Sequence, residues 1–594
     1  MFIKNDCVYL EDDEIERLFP SFSTPTPITS HLSPERKIER AFTLLETKMK
    51  QALQKDIDPA VYVMSADCGT GKTRALQNVL REWKADGFPG DGAIVMIFTL
   101  AEIDAIVAGA GLDRNDYAVY TSDEKYRTYG AGRDAANVVP VLFATHSMTK
   151  RLALEAGSFP AVTEFHRNGI VRSLRVWDEG FNAAEGVAFD LDDLLALPSA
   201  FKMLSNDDRD VLRRLGRSCA EPVAGLRLDI PLSVIDIGDG VLKKGLKVAE
   251  TAKRTLEGLV KLAGSTAYLR GDDEVGWSFI GAGRSMPADI APLFVLDASA
   301  RLTARYRQLS AHGMRVVELE PATLSYEGVN IHWYDRGAGK TALGDAKQRG
   351  VIFKAIADLA NTKPTEQFLL VISKRVCGGG EDGPATLPKE LRGIVTDPDR
   401  VKVVTWGRHI GTNEFRDIPN VIIVSAYNYG LTAYDALALA ATGCRVDEIG
   451  KSDRWEQEAE AFMHNVYQAV CRISVRLRNG ASSGAANVYL IMNDSDRRRA
   501  QIEQAFPGAS IQSWIPNPPA KESKHDLVLR VLSTLLENQS FVSLKDLRIA
   551  CEGKCTSYQS KIVRSDRFKA DIAARGIFRR KNYYHRIGEA KLAA

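Results

Sequence analysis

The stretch Ala66-Asp-Cys-Gly-Thr-Gly-Lys-Thr73 decides the fold of this chain. It follows the apolar run Val61-Tyr62-Val63-Met64, which predicts a buried strand, and the segment from Lys72 to Trp83 has helical spacing. Strand, glycine-rich loop and helix in this order are typical of a phosphate-binding loop. Gly69 and Gly71 let backbone N–H groups close around a phosphate, and the helix N-terminus favours its charge. The pattern predicts a nucleoside triphosphate site.

The residues of this loop have separate expected roles. Lys72 would reach the β- and γ-phosphates, and the Thr73 hydroxyl would ligate Mg²⁺. A second Gly-Lys-Thr at Gly339–Thr341 would close too short a loop, because Tyr334 stands where the first glycine should be. We therefore expect the nucleotide to bind only at the first loop, whose predicted contacts are Ala66, Gly69, Thr70, Gly71, Lys72 and Thr73.

An acidic pair follows a later apolar run, in Val176-Trp177-Asp178-Glu179-Gly180-Phe181-Asn182. The pair would lie at the carboxyl edge of a parallel sheet, where nucleotides bind. Asp178 would hold Mg²⁺, and Glu179 would orient and polarise the attacking water. Such dipeptides are frequent at strand ends, so the pair gains its meaning from the phosphate loop. The guanine-specific pattern Asn-Lys-x-Asp does not occur, and ATP is therefore the expected nucleotide, with Mg²⁺ as its cofactor.

Length and composition set the broad class. The 594 residues exceed one hydrophobic core, and 45% apolar with 26% charged residues is ordinary globular composition. The N-terminus does not resemble a signal peptide, and no apolar stretch approaches a membrane span, so we expect a cytoplasmic protein without a membrane partner. The eight cysteines are scattered, which predicts reduced thiols rather than a structural metal site.

Buried-strand and helix patterns alternate along most of the chain, which predicts an α/β protein with mostly parallel sheets. Further apolar runs predict strands at 93–98, 139–143, 174–177 and 293–296, and then at 329–334, 368–372, 401–405, 421–425 and 488–492. Helical segments at 192–204 and 241–262 predict an insertion. The expected organisation is a helical N-terminal segment 1–58, a first α/β domain 59–320 with a helical insertion at about 183–290, a second α/β domain 321–514, a linker 515–525 and a basic domain 526–594.

These residues resemble the superfamily 2 helicases, the DEAD/DEAH-like group with two RecA-like domains, over about residues 60–500. Ala66–Thr73 is similar to motif I and Asp178-Glu179-Gly180-Phe181 to motif II, while Asp297-Ala-Ser-Ala300 partly matches the Ser-Ala-Thr coupling element. The resemblance implies nucleic-acid contacts at strand ends, where hydroxyls and backbone N–H groups bind phosphates. Helix caps are the alternative for Thr99 and Thr145. The implied contacts in the two domains are Thr99, Thr145, His146, Ser373, Thr412 and Asn413.

The second domain resembles the family at Gln468-Ala-Val-Cys-Arg472-Ile-Ser-Val-Arg476, which is similar to motif VI, Q-x-x-G-R-x-x-R. Cys471 replaces the glycine, and the second arginine comes one position late. The resemblance implies that Gln468 contacts the nucleotide, and that Arg472 or Arg476 stabilises charge on the γ-phosphate. Alternatively, the two arginines line one solvated helix face.

The last part of the chain is basic. Residues 521–594 contain 16 Lys/Arg and 8 Asp/Glu, a net excess of basic residues. The preceding 520 residues contain 62 Lys/Arg and 68 Asp/Glu, a net excess of acidic residues. Helix patterns at 526–537, 543–551 and 556–575, followed by strand patterns at 577–581 and 583–587, have the order of a winged helix, whose third helix enters a DNA groove. A solvated surface and a protein-docking module are the alternatives. The expected DNA contacts are Lys561, Arg564, Arg567, Arg579, Arg580 and Lys581.

Two functions are the main candidates from the sequence, and an ATPase that remodels protein complexes is a distant third. The first is an ATP-dependent helicase or translocase that acts on nucleic acid, with DNA favoured over RNA by the basic tail, in replication or recombination; replication proteins are candidate partners. The second is an ATP-switched DNA-binding replication initiator or regulator that does not unwind DNA. Stimulation of ATP turnover by single strands favours the first, and stimulation by one duplex sequence alone favours the second.

Overall fold

The structure is a computed structural model that describes residues 32–219, 221–242, 248–272, 276–378, 385–407, 414–516, 524–551 and 562–586. The predicted contacts Thr412, Asn413 and Lys561 lie outside these residues. The chain divides into two compact units, of which one comprises Met1–Ile352 with Lys363–Trp514 and the other Phe353–Thr362 with Ile515–Ala594. In the part of the chain that is described, no helix is both long and apolar enough to cross a membrane.

Most strands of the two large sheets coincide with apolar runs of the sequence, although the strand predicted at 139–143 lies at 141–145. In chain order the strands are β1 (Val61–Ser65), β2 (Ala93–Ile97), β3 (Tyr117–Tyr120), β4 (Val141–Thr145), β5 (His166–Arg167), β6 (Ile170–Val171), β7 (Leu174–Asp178), β8 (Gly186–Asp190), β9 (Arg227–Asp229), β10 (Thr266–Asp272), β11 (Gly276–Ala282), β12 (Leu293–Asp297), β13 (Val316–Glu318), β14 (Val329–Asp335), β15 (Phe368–Ile372), β16 (Val401–Thr405), β17 (Asn420–Val424), β18 (Ala486–Met492), β19 (Ser510–Ser513), β20 (Phe541–Ser543), β21 (Ile577–Arg580) and β22 (Tyr583–Arg586).

The helices lie between these strands. They are α1 (Pro34–Leu53), α2 (Lys72–Ala85), α3 (Ile103–Ala110), α4 (His146–Ala156), α5 (Leu191–Ala200), α6 (Asn206–Arg217), α7 (Val234–Leu242), α8 (Glu250–Lys261), α9 (Lys340–Gly344), α10 (Ala346–Thr362), α11 (Lys389–Arg392), α12 (Leu431–Thr442), α13 (Lys451–Val470), α14 (Asp496–Ala505), α15 (Lys524–Asn538), α16 (Leu544–Ala550) and α17 (Asp566–Ala574).

Two parallel sheets form the core of the first unit, which confirms the predicted α/β class. The first has the strand order β13-β1-β12-β7-β2-β4-β3, and the second has the order β16-β15-β17-β18-β14-β19. Strands such as Ala93–Ile97 and Phe368–Ile372 are buried along their whole length, as expected for strands covered on both faces. Because all strands of a sheet run one way, the loops after β1, β7 and β12 meet at one edge.

The insertion after β7 contains more than helices. Besides α5 to α8, it forms an antiparallel sheet in the order β8-β11-β10-β9, which the purely helical prediction omitted. In Gly186–Asp190 the buried residues Val187 and Phe189 face the core of the insertion, whereas Ala188 on the other face packs on a cluster that includes Ala436 and Leu439 of the second domain. A buried cluster that includes Leu194, Leu212, Leu256 and Phe279 gives the insertion its own core.

The insertion also contacts the second α/β domain. An added Cβ at Gly186 would lie 2.5 Å from the carbonyl oxygen of Ala436 in α12, so the two backbones are in close contact. Asp435, on the same helix, is buried and accepts hydrogen bonds from Arg454 at 2.7 and 2.9 Å. Arg270 of the insertion lies 3.7 Å from the same carboxylate. The insertion therefore connects the first domain to α12 of the second.

The second unit contains α15, α16, α17 and an antiparallel sheet in the order β20-β22-β21. The predicted third helix, 556–575, is partly wrong within the described residues, because α17 begins only at Asp566. Ser565 has an extended backbone, and its side chain accepts a hydrogen bond from Phe568 N as an N-cap. Arg564 thus precedes the helix. Of the tyrosine pair, Tyr584 is buried and Tyr583 is exposed.

Candidate nucleotide site between two α/β sheets

The phosphate loop has the conformation that its sequence predicts. It connects β1 to α2, and both Gly69 and Gly71 adopt positive φ angles, 78° and 120°. A Cβ at Gly69 would lie 2.1 Å from the carbonyl oxygen of Arg476, so this position also requires glycine for close packing. Lys72 Nζ donates a hydrogen bond to the carbonyl oxygen of Ala66 at 3.1 Å. The lysine is thereby held over the loop, where a phosphate would replace this carbonyl as its partner.

The predicted acidic pair lies at the same edge of the sheet. Asp178 is the last residue of β7, and Glu179 has a positive φ of 71°, which turns the chain sharply after the strand. Burial, and then the charge of Glu179, raises the pKa of Asp178 to about 8, while Lys72 opposes the shift. Asp178 is half-buried, and a carboxyl beside a second acid is a suitable ligand for a cation, which would favour its ionised form. The role of Asp178 and Thr73 as ligands of Mg²⁺, which takes few protein ligands besides phosphate oxygens and water, stays a prediction.

A third carboxyl, which the sequence interpretation missed, lies near this pair. Glu102 accepts a hydrogen bond of 3.4 Å from Thr99 N. Burial, and to a lesser degree the charge of Glu179, raises its pKa above the usual range of a glutamate. Its position one turn after the strand β2 was not distinctive in the sequence. Thr99 directly precedes a short 3₁₀ turn, Leu100–Glu102.

The second α/β domain contributes Gln468 and Arg472 at the end of α13. Both side chains are buried, and Arg472 Nη2 donates a hydrogen bond of 2.6 Å to Gln468 Oε1. Burial lowers the pKa of the Arg472 guanidinium, and the charge of Glu179 opposes that change. The alternative of a solvated helix face is wrong, because α13 ends at Val470 and Arg476 lies in a separate 3₁₀ turn.

Asp67 holds the phosphate loop against the second domain. Its Oδ1 accepts hydrogen bonds from the hydroxyl of Tyr467 and from Arg301 Nε, each at 3.0 Å, and its Oδ2 accepts one from Leu324 N at 2.9 Å. The Tyr467 hydroxyl in turn accepts a hydrogen bond from Cys68 N at 3.1 Å. We call Asp67, Tyr467, Cys68 and Arg301 the loop latch. No pattern in the sequence predicted these contacts.

The partial coupling element forms a second connection between the sheets. Asp297 ends β12, and its Oδ1 accepts hydrogen bonds from the backbone N–H and the hydroxyl of Ser299, both at 2.8 Å. Ser299 Oγ also lies 2.8 Å from His464 Nδ1 on α13. Burial, and then Arg305, lowers the pKa of His464 to about 4, so the imidazole is neutral at neutral pH. Tyr306 donates to Asp297 Oδ2 at 2.6 Å, which completes the partners of this buried carboxylate.

A cavity of about 510 Å³ lies between the two sheets beside this connection. Arg305 and His464 line it, together with Tyr427 and Tyr429, which follow β17. The ring of Tyr427 is stacked on Trp406, with centroids 5.9 Å apart and an interplanar angle of 16°. Tyr429 is 40% exposed, which is high for an aromatic side chain of this size. These aromatic residues were not among the predicted nucleic-acid contacts.

The predicted nucleic-acid contacts of the first domain have local structural roles. Thr145 is the N-cap of α4 and accepts a hydrogen bond from Met148 N at 3.3 Å, as its helix-cap alternative requires. His146 stacks on Trp177 with centroids 4.0 Å apart, and its Nε2 lies 3.2 Å from the carbonyl oxygen of Met96. Burial lowers the pKa of His146 to about 3. In the second domain, Ser373 begins the 3₁₀ turn Lys374–Val376.

The basic residues of the second unit are exposed. Arg564 lies in the turn before α17, and Arg567 is on that helix, with its Nε 3.9 Å from Asp571 Oδ2. Arg579 and Arg580 belong to β21, and Lys581 lies in the turn to β22 with a φ of 54°. Their exposure fits contact with a phosphate backbone, and the role remains a prediction.

The chain thus combines a glycine-rich strand–loop–helix with two parallel α/β sheets. No family model and no curated protein matches the sequence. Among solved structures, XPD in its apo form is 11% identical, with a TM-score of 0.46, and the match covers 79% of this chain and 100% of XPD. The DEAD-box helicase Mss116 bound to ssRNA and UDP-BeF is 13% identical, with a TM-score of 0.36 and coverage of 84% and 83%. The DUF1998 helicase MrfA bound to DNA is 11% identical, with a TM-score of 0.32, and the match covers 93% of this chain and 59% of MrfA.

Proposed function

We propose that this chain is an ATP-dependent helicase or translocase that acts on nucleic acid, with DNA preferred, in replication or recombination. One observation supports this function above the others: Arg472, which follows α13 of the second domain and donates a hydrogen bond to Gln468, interacts electrostatically with Glu179 of the first domain. A nucleotide in the phosphate loop would therefore contact both domains. An enzyme that only transfers a phosphoryl group to a small molecule does not need this second domain.

ATP would bind with its phosphates in the loop, and Lys72 would exchange the Ala66 carbonyl oxygen for the β- and γ-phosphates. Mg²⁺, held by Thr73 and Asp178, would supply charge neutralisation at the phosphate oxygens. Glu179 would orient the attacking water and accept its proton. The water oxygen would bond to the γ-phosphorus as the bond to the β-phosphate oxygen breaks, which yields ADP and phosphate. Arg472 would stabilise the charge that develops on the transferred group.

Hydrolysis would then alter the contact between the two domains. The γ-phosphate is the group that Arg472 and the loop would share, so its loss removes a bond between the sheets. Nucleic acid would bind across the strand ends of both sheets, and the Tyr427 and Tyr429 rings offer faces on which bases stack. Alternating closure and opening would move the chain along a strand.

The preference for DNA and the second candidate function both come from the basic C-terminal unit. Its exposed Arg567, Arg579, Arg580 and Lys581 suit a duplex phosphate backbone, and we propose a winged-helix role for this unit. The same feature favours the alternative of an ATP-switched DNA-binding initiator or regulator. In that case the unit would recognise one duplex site, and ATP would control the complex without unwinding.

ATP turnover measured side by side with single-stranded DNA, duplex DNA and RNA tests the proposal. We expect the largest stimulation with single-stranded DNA, and a loss of turnover in Lys72→Ala. Lys340→Ala is the matched control, because Lys340 belongs to the second Gly-Lys-Thr and is exposed at the start of α9. Normal turnover in Lys72→Ala would refute the nucleotide site. If only one duplex sequence stimulated ATP turnover, the helicase proposal would be rejected in favour of the ATP-switched initiator.

A further inference from the structure

Two cysteines from distant parts of the chain meet at the nucleotide site. Cys68 is the third residue of the phosphate loop, and Cys471 directly follows α13, at the position where the helicase motif has glycine. Both side chains are buried, and the interaction between the two thiols lowers the pKa of Cys68 and raises that of Cys471. One thiol therefore belongs to the first sheet's loop and the other to the second domain.

The backbone around both thiols is fixed by the same tyrosine. Cys68 N donates to the Tyr467 hydroxyl at 3.1 Å, and Cys471 N donates to the Tyr467 carbonyl oxygen at 2.9 Å. On the other side of the loop, the Arg476 carbonyl oxygen packs directly on Gly69. The backbones of both cysteines thus belong to one well-packed interface between the loop and the second domain.

We propose that Cys68 and Cys471 form an oxidisable dithiol site, which a hydroperoxide converts into a disulfide between the phosphate loop and the second α/β domain. The predicted effect of this bond on ATP turnover rests on the proposed function, whereas its formation does not. The described chain has four further cysteines, Cys219, Cys377, Cys444 and Cys551, and none of these belongs to the phosphate loop or follows α13.

The reaction consumes one hydroperoxide. The Cys68 thiolate attacks one peroxide oxygen, the O–O bond breaks, and hydroxide or an alkoxide leaves, which gives a sulfenic acid at Cys68. Cys471 then loses its proton and attacks the Cys68 sulfur, the S–O bond breaks, and hydroxide leaves as water. Two thiols supply the two electrons, and with hydrogen peroxide the products are the disulfide and two water molecules.

The surroundings favour Cys68 as the attacking group. Although burial opposes ionisation, the hydrogen bond from Cys471 and the charges of Arg476 and Lys72 lower the pKa of Cys68. Burial and the neighbouring Cys68 raise that of Cys471. By contrast, burial raises the pKa of Cys219 and of Cys377 to about 11, so these thiols are poor nucleophiles at neutral pH. A mild oxidant should therefore select the site.

A disulfide here would tie together the two parts that must separate during a hydrolysis cycle. The loop that receives the phosphates would be linked covalently to the segment that contains Arg472. Opening of the cleft for product release would then be blocked, and opening steps of this kind set the turnover rate of many enzymes. Reduction would break the bond and restore the free domain movement.

The test treats the full chain with hydrogen peroxide, blocks remaining thiols by alkylation, and identifies disulfide-linked peptides by mass spectrometry. ATP turnover is measured before oxidation, after oxidation and after dithiothreitol. We expect a Cys68–Cys471 linked peptide pair and a fall in turnover of at least about tenfold that dithiothreitol reverses. Cys471→Ser and Cys68→Ala should each form no such linkage. In each variant, oxidation should lower ATP turnover by less than about twofold relative to the same variant before oxidation.

Cys444→Ser is the matched control, since Cys444 is half-buried and lies outside the nucleotide site; it should behave like the unchanged chain. Absence of the Cys68–Cys471 peptide pair after oxidation would overturn the proposal. So would an equal loss of turnover in Cys471→Ser, or full turnover in the linked chain. If the reduced chain hydrolyses no ATP at all, the proposed function fails, while the peptide analysis still decides whether the dithiol site exists.

Discussion

Replacing Tyr467 with phenylalanine would remove one hydroxyl from the loop latch. That hydroxyl is fully buried, donates to the Asp67 carboxylate at 3.0 Å and accepts from Cys68 N at 3.1 Å. A hydrogen bond to a charged group contributes roughly 1.5–3 kcal/mol, and a buried N–H without a partner adds to the cost. We therefore expect Tyr467→Phe to destabilise the chain by about 2–3 kcal/mol, which corresponds to a fall in melting temperature of roughly 4–12 °C for a domain of this size.

A double-mutant cycle with Asp67→Ala, followed by calorimetry, separates the Tyr467–Asp67 interaction from other effects of each change. In the Asp67→Ala background, Tyr467→Phe should lower the free energy of unfolding by roughly 1.5–3 kcal/mol less than in the unchanged chain, because the charged partner of the Tyr467 hydroxyl is absent. Tyr62→Phe is the matched control: its hydroxyl donates to the neutral carbonyl oxygen of Asp58 at 3.0 Å, so only about 1 kcal/mol is expected. If Tyr467→Phe destabilised the chain equally in both backgrounds, the hydroxyl of Tyr467 would not stabilise the loop through Asp67.

Three further changes have defined outcomes. Arg472→Ala should lower the rate of ATP hydrolysis by about 10³-fold with a much smaller change in nucleotide affinity, and equal changes in rate and affinity would contradict its role. Because the folded pKa of His464, about 4, lies below its ordinary 6.5, the stability that neutral His464 provides is complete above pH 6.5 and is lost as the pH falls towards 4. Between pH 7 and pH 5 the unchanged chain should lose about 2 kcal/mol more than His464→Asn, measured by denaturant unfolding. Changing Arg579, Arg580 and Lys581 to glutamine should reduce the slope of log affinity for DNA against log salt by up to about 3, and an unchanged slope would exclude them as phosphate contacts.

Local patterns in the sequence were sufficient for much of the fold. Apolar runs such as Ala93–Ile97 and Phe368–Ile372 indicated buried strands, because parallel strands are covered on both faces. The phosphate loop was predictable since its glycines, lysine and helix start are consecutive. Short or polar strands, such as Val316–Glu318 and Ser510–Ser513, were missed because they lie at sheet edges and have little apolar patterning.

Contacts between residues that are far apart in the chain could not be predicted from one sequence. Tyr467 and Asp67 are 400 positions apart, and neither stands out among its neighbours. They meet where the loop after β1 contacts the last turn of α13 in the second domain. Glu102 became distinctive only through its burial next to Glu179. The contact of the insertion with α12 likewise depends on how the two domains pack, which no local pattern encodes.

The irregular spacing of the two arginines after Gln468 has a structural explanation. If α13 continued, Arg472 and Arg476 would share one face, but the helix ends at Val470 and the chain turns. The Arg472 side chain consequently lies in the interior with Gln468, near Glu179, whereas the Arg476 backbone packs on Gly69. A change at Arg476 would therefore alter a side chain without removing the backbone contact that shapes the loop. We infer that Arg472 is the arginine that meets the γ-phosphate, and that Arg476 acts first through its carbonyl group.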